Sequence, residues 1–234
     1  MERKHRIYKI VAIITAISFI VLSGYGFSPN AGAIAIVTKV IKDVTKKISS
    51  ADWAEAAMGD RLFTGDQMKT GSIGFALIKF TDNSIVRLRN LSQLTVIGEG
   101  TRAAAIRTAD LNRGSVGFTV KKQQNNIFRL TSPTSVASIR GTKGKWSSAD
   151  GYDTLVVTEG LVNLRNNVSN KEVDVPEGSI GFSNADGSIS SRLATDLELA
   201  DANNAADGGT SHEMKLELKD SKGNKKNLKL KYKQ

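Results

Sequence analysis

The run from Phe128 to Trp146 limits the fold more than any other stretch of the chain. Phe128 and Leu130 alternate with Arg129 and Thr131, the period-two mark of a half-buried strand. Ser132-Pro133 then breaks the ladder, because proline has no N–H to donate and a fixed φ. Val136 and Ile139 return to a core, and Arg140-Gly141-Thr142 turns the chain again. Strand, break, strand and turn in so short a space describe a corner of an all-β domain. No nucleophile in the run has a base beside it.

The same punctuation recurs elsewhere. Gly71-Ser-Ile-Gly-Phe75, Gly114-Ser-Val-Gly-Phe118 and Gly178-Ser-Ile-Gly-Phe182 share one pattern, a turn glycine before an alternating strand. Their spacings of 43 and 64 residues are unequal, so this is no regular solenoid. Gly59-Asp60 and Gly65-Asp66 are turn dipeptides, since glycine supplies positive φ and aspartate bonds its own backbone. Thr81-Asp82-Asn83-Ser84 joins two strand-like runs, Phe75 to Phe80 and Ile85 to Leu88. Glu159-Gly160 and Glu177-Gly178 mark further turns. Ile34 to Ile48 alternates loosely and is read as the first strand or two, while Asp52 to Met58 looks like a small helical turn with Trp53 plugging a core.

The ends differ from the middle. Arg3, Lys4, Arg6 and Lys9 precede an apolar run of 13 residues, Ile10 to Leu22, and the stretch closes on Ala31-Gly32-Ala33. That is the form of an export signal spanning 1–33; an uncleaved anchor over 7–27 is the rival reading, although 13 residues is short for a span of about 20. Cleavage places the mature chain in the periplasm or outside the cell; anchoring leaves it in the inner membrane with its domain outside the cytoplasm. The chain has no cysteine, so neither a lipid-anchored cysteine, a disulfide nor a thiolate metal site is available. Residues 34–190 read as the β domain, 191–210 as a linker with a short helix, and 211–234 as a Lys-rich β-hairpin. In that tail Met214 to Leu218 and Leu228 to Tyr232 alternate around a polar turn. Two strands alone are marginal in water, so the hairpin is expected to dock on its own domain or on a partner.

The net charge of +10 suggests nucleic acid until it is located. The first 33 residues carry +3 and residues 211–234 carry +5, which leaves the central domain nearly balanced at +2. No nucleic-acid partner is expected. The Lys face of the tail suits anionic lipid, polysaccharide or protein, or simply guards an edge strand. Catalytic chemistry has little to work with. Asp60, Asp66 and Asp82 each sit in a turn beside glycine or asparagine, where local backbone bonding explains them. Only His5 and His212 exist, both outside the central domain, so serine has no imidazole base and no histidine metal cluster is expected. Asp150-Gly151 and Asp186-Gly187 lack the oxygen-rich run of a calcium loop. The sequence therefore predicts no catalytic residue, no cofactor and no metal.

Five elements, in order, resemble the FecR-like domain family. Gly59 to Gly71 is similar to its "G-x-x-L-x-x-G-D-x-(I/V)-x-T" element, which covers Gly59, Gly65, Asp66 and Thr70. Phe80 to Leu88 resembles its "F-x-D-G-S-x-(L/V)-x-L" hairpin through Asp82 and Ser84, with Asn83 for the usual glycine. Phe128 to Thr142 resembles "F-x-V-x-T-P-x-(x)-A-x-I-R-G-T" through Pro133, Arg140, Gly141 and Thr142, although Lys143-Gly144-Lys145 delays the aromatic that usually follows. Leu155 to Leu164, with Glu159 and Gly160, and Val173 to Ser179, with Gly178, resemble the last two; Trp53 stands where the family often has a tryptophan. The resemblance implies a compact domain of short strands, wound as a squat β-helix or a rolled β-sandwich, whose motif residues are structural. It implies a periplasmic interaction or signal-sensing module rather than an enzyme. Regulators of this type carry a cytoplasmic anti-sigma domain before a membrane span, whereas here only about nine residues precede the apolar run. The expected partner is a protein or a cell-envelope glycan, and any link to iron belongs to the family's namesake. A polysaccharide-binding or polysaccharide-acting β-helix protein using paired Asp residues is the alternative. Arg140 either meets a partner carboxylate or ties neighbouring turns through backbone carbonyls.

Overall fold

A computed structural model describes residues 32–49, 51–101, 104–122, 127–207, 211–219 and 225–233. All but the last two residues of the expected leader over 1–33, the whole of the rival anchor over 7–27 and the tip of the tail hairpin lie outside the described residues. Ala33 to Gln234 clusters as one compact unit.

The chain builds two layers by repeatedly changing sheet at a tight corner. β1 (Ala35–Ile41) starts in sheet I, and a bend with Lys42 at φ 54° leads to β2 (Val44–Lys47) in sheet II. Two-residue strands β3 (Ala54–Glu55) and β4 (Arg61–Leu62) edge sheets II and I. β5 (Gln67–Thr70) in sheet II turns at Gly71 into β6 (Phe75–Phe80) in sheet I. β7 (Ile85–Leu88) pairs with β6 and returns through Leu91, at φ 53°, to β8 (Gln93–Thr101) in sheet II. β9 (Ala104–Val120) then spans both layers. Its first part pairs with β8 and its last part with β7, and Gly114 at φ 97° makes the bend between them.

The second half repeats the scheme. β10 (Ile127–Thr131) and β11 (Ser135–Ile139) form a hairpin in sheet II. Gly141, at φ 67°, leads into β12 (Thr142–Ala149) and β13 (Tyr152–Glu159) of sheet I. Gly160, at φ 90°, leads back to β14 (Leu161–Asn166) and β15 (Glu172–Pro176) of sheet II. Gly178, at φ 77°, returns to β16 (Ser179–Asn184) and β17 (Ile189–Leu193) of sheet I. Among the described residues, every pairing is antiparallel except β9 with β10. Across that parallel pair the corners change margin: those at Gly71, Leu91 and Gly114 lie on one margin of the sandwich, and those at Gly141, Gly160 and Gly178 lie on the opposite one. Of the two expected forms, the rolled sandwich is realised, because a β-helix would need parallel coils. It is not closed into a barrel: β4 and β17 end sheet I, and β3 and β15 end sheet II.

Each strand sends alternate side chains between the layers. Trp146, Phe80, Phe118, Phe128, Leu130 and Leu155 are the large side chains of this core, all buried. Fully burying one such side chain contributes roughly 1.5–3 kcal/mol. Phe80 of sheet I meets Phe128 of sheet II edge to face, with centroids 5.1 Å apart. Two expectations fail here. Asp52 to Met58 is not helical, because Ala54–Glu55 pairs with β2. Trp53 is no core plug: it is 39% exposed, with Lys69 Nζ 5.9 Å from its ring centroid. The buried tryptophan is Trp146, displaced along the chain by Lys143-Gly144-Lys145.

The expected short helix is α1 (Asp196–Asp207). Thr195 caps it and Glu198 completes a capping box: the Thr195 N–H donates to Glu198 Oε2 at 2.8 Å and the Glu198 N–H to Thr195 Oγ1 at 3.3 Å. The helix lays Ala202, Ala205 and Ala206 on the outer face of sheet I. A methyl on Gly117 of β9 would overlap the Ala205 carbonyl, so that glycine sets how closely the helix approaches. The tail forms a separate two-stranded sheet, β18 (Ser211–Lys219) against β19 (Lys225–Lys233), with Met214 opposite Leu230 and Leu216 opposite Leu228.

Candidate functional site

The three turn carboxylates are each committed locally. Asp66 is buried and accepts the Ser49 and Phe63 N–H groups at 3.0 and 2.8 Å. Asp82 accepts both the N–H and the hydroxyl of Ser84 at 2.9 Å. Asp60 accepts the Ala57 N–H at 2.7 Å and pairs with Lys46 Nζ at 2.5 Å. Partial burial opposes ionisation of Asp60, but the Ala57 N–H and the Lys46 ammonium together hold its carboxyl below the ordinary value. Asp186 is displaced the same way by the Ser188 hydroxyl and N–H. A general acid needs the opposite displacement.

The other motif residues sit at corners. Gly59 and Gly65 have φ of 94° and 92°, and Asn83 takes the glycine role of its turn at φ 66°. The Thr70 hydroxyl donates to the Arg89 carbonyl at 2.5 Å and accepts the Ser92 N–H at 3.0 Å, closing two corners onto each other. The Thr142 hydroxyl donates to the Arg140 and Leu161 carbonyls at 3.3 and 3.2 Å. The tie between neighbouring turns expected of Arg140 is thus made by Thr142, while Arg140 is exposed, as are Trp53, Pro133 and Glu159. The Gly160 N–H donates to Glu177 Oε2 at 3.3 Å, and Gly178 donates its N–H to the Val157 carbonyl at 2.9 Å.

Sequence reasoning missed the strongest polar joints. Asp153, 1% exposed, receives the hydroxyls of Ser132 and Ser135 on one oxygen, the latter at 2.6 Å, and so ties the β10–β11 turn to sheet I. Asp153 Oδ1 is buried without a partner. Asn166 ties the next turn the same way, donating to Ser183 Oγ and the Asn184 carbonyl at 2.8 and 2.7 Å. Nothing local in the sequence marks these positions, because their partners lie in other strands.

Two open surfaces remain. A groove of about 600 Å³ crosses the outer face of sheet II, where Arg129 and Arg165 lie among Glu99, Asp110 and Glu172. Asp110 accepts the Thr131 hydroxyl at 2.6 Å. The second surface is the outer face of sheet I around α1. Lys143 and Lys145 of β12 hold Asp207 and Asp201 of the helix at 2.5 Å, and Arg192 holds Glu198 at 2.8 Å. Among the described residues, no cluster of three His, Cys, Asp or Glu side chains could hold a metal ion, and no helix is long and apolar enough to cross a membrane.

No curated protein matches the chain. Two crystal structures of a candidate anti-sigma factor from Parabacteroides distasonis ATCC 8503 are similar to it at 14% identity, each with a TM-score of 0.49. The similarity covers 57% of this chain and 62% of the other. The family described as FecR protein matches residues 66–163, which run from the buried Asp66 turn through the Gly114 and Gly141 corners into β14. Over those residues, the chain is similar to the FecR family.

Proposed function

We propose that this protein is a non-catalytic signalling module of the FecR type that works outside the cytoplasm by binding another protein. The observation that carries the reading is the commitment of Asp60, Asp66, Asp82 and Asp153 to the turns and joints they hold. Side chains spent on structure leave the two outer faces to do the work, and faces recognise rather than react. The basic start, the apolar run and Ala31-Gly32-Ala33 support export. A chain beginning at Ile34 in the mature protein would support cleavage; an intact amino terminus fractionating with membranes would support the anchor.

The test joins genetics to chemistry. The full chain, tagged at its native level, is cross-linked in intact cells, and the gene for each captured protein is deleted. The expected partner is one whose loss changes the same transcripts as loss of this chain, with no further change in the double deletion. A second reading, recognition of an envelope polysaccharide, is favoured by the polar groove on sheet II, which is lined by charges of both signs, Arg129, Arg165, Asp110 and Glu172. Hydrolysis of an envelope glycan by the purified chain, abolished by Asp110→Asn or Glu172→Gln, would overturn the signalling module in favour of an enzyme.

A further inference from the structure

The outer face of sheet I is covered over only part of its width. Register shows which side chains share that face. One row runs Lys39, Leu77, Arg87, Gly117, Lys145, Val156, Ile180. The next runs Ile36, Lys79, Ile85, Thr119, Lys143. Helix α1 occupies the far end of both rows. Ala202 packs with Val156 and Ile180, the Ala205 carbonyl lies over Gly117, and Asp201 and Asp207 reach Lys145 and Lys143. The helix reaches as far as β7 beside Arg87, and the outer side chains of β6 and β1 beyond it are half-buried or exposed.

That bare part is apolar where a sheet face turned to water should be polar. Ile36 is 38% exposed, and Phe75, Leu77 and Ile85 are half-buried. It also carries cations. Lys39 Nζ and Arg89 Cζ lie 6.0 and 5.7 Å from the Phe75 ring centroid, and Lys79 stands between Ile36 and Ile85. None of Lys39, Lys79 and Arg89 has an ion pair among the described residues. Arg87 marks the boundary: its Nη1 donates to Thr119 Oγ1 at 3.0 Å, and its Nε is buried with no partner.

The covered half shows what such a surface holds. It holds a helix of 12 residues with a small apolar underside and acids along its flanks, of which Glu198, Asp201 and Asp207 are each pinned by a cation of the sheet. We infer that the bare half takes a second segment of the same kind, an acid-flanked amphipathic helix supplied by the protein partner, lying beside α1 across β7, β6 and β1. Three strands about 4.8 Å apart accommodate roughly three turns of helix. The apolar stripe would cover Leu77 and Ile85, and its acids would meet Lys39, Lys79 and Arg89. This inference rests on the protein-binding reading above and names the surface and the chemistry of its ligand.

The test uses the full chain carrying a p-benzoylphenylalanine photo-cross-linker in place of Leu77, and separately in place of Ile85 or Arg165. The probes are two helical peptides with one Leu/Ala stripe, flanked by Asp and Glu in the first and by Lys in the second. The acid-flanked peptide is expected to cross-link at 77 and 85 and not at 165. Lys39→Glu with Lys79→Glu is expected to weaken that by about tenfold and to admit the Lys-flanked peptide instead. Equal labelling by both peptides overturns the inference. So does an internal cross-link from 77 to residues 211–233, which makes the chain's own hairpin the occupant, or a cross-link to a second copy. In cells, a genetically confirmed partner that cross-links at 165 alone sinks this surface but leaves the signalling module standing. A chain with no such partner at any position removes the module itself.

Discussion

Asp153 carries two hydroxyl bonds on one oxygen and none on the other, inside a layer interface closed to water. Replacing it by alanine strands Ser132 and Ser135, and each orphaned hydroxyl costs about 1–3 kcal/mol. Asp153→Ala should lower the urea midpoint by an amount corresponding to about 2–4 kcal/mol, with an unchanged slope. Asp66→Ala releases the Ser49 and Phe63 N–H groups and should cost a similar amount, whereas the exposed Arg140→Ala should move the midpoint little. Glu198 makes a different kind of prediction. Hydrogen bonds from Arg192, then the Thr195 N–H, hold its carboxyl at about 2 against an ordinary 4.5. A lowered folded-state value means that its contribution is complete above pH 4.5 and lost as the pH falls towards 2. Amide exchange at Leu199 to Ala202 should therefore accelerate over that window, relative to the sheet beneath. Glu198→Gln should remove the dependence.

Among the elements, the corners were the most legible from sequence. Gly71, Gly114 and Gly178, found as an echo, are three places where the chain passes from sheet II to sheet I. A fourth such place, Gly141-Thr-Lys-Gly144, has the same glycine spacing but stands outside the echo because no Phe follows Gly144. The echo fixes the corner but not the facing: Phe118 points into the core, whereas Phe75 and Phe182 lie on the outer face. The capping box Thr195-Asp-Leu-Glu198 was also readable and marks the helix start. The bare face was not readable. Leu77 becomes a neighbour of Arg87, and Arg87 of Gly117, only once strands far apart in sequence have chosen their register. Gly117→Ala tests the seat of α1. The added methyl meets backbone, not a movable side chain, so the helix should lift, at a cost of about 1–3 kcal/mol. Limited proteolysis between Asp196 and Asp207 reads it out. Gly178→Ala has open space but φ of 77°, so it should cost about 1 kcal/mol and leave α1 protected.

At the scale of the molecule, β9 belongs to both layers and joins the two halves. Neither half keeps a complete sandwich without it. Urea unfolding followed by Trp146 emission and by far-ultraviolet dichroism should give one coincident transition. Separated midpoints would mean that the halves melt independently. The strand that leads into the fold has its own consequence. β1 is gripped from both sides, by β4 over two residues and by β6 along most of its length. A tug applied at Ala35 along the strand axis would load those crosswise hydrogen bonds in shear, so they must break together and not one after another. Such a fold behaves as a stiff link, passing tension onward without unravelling.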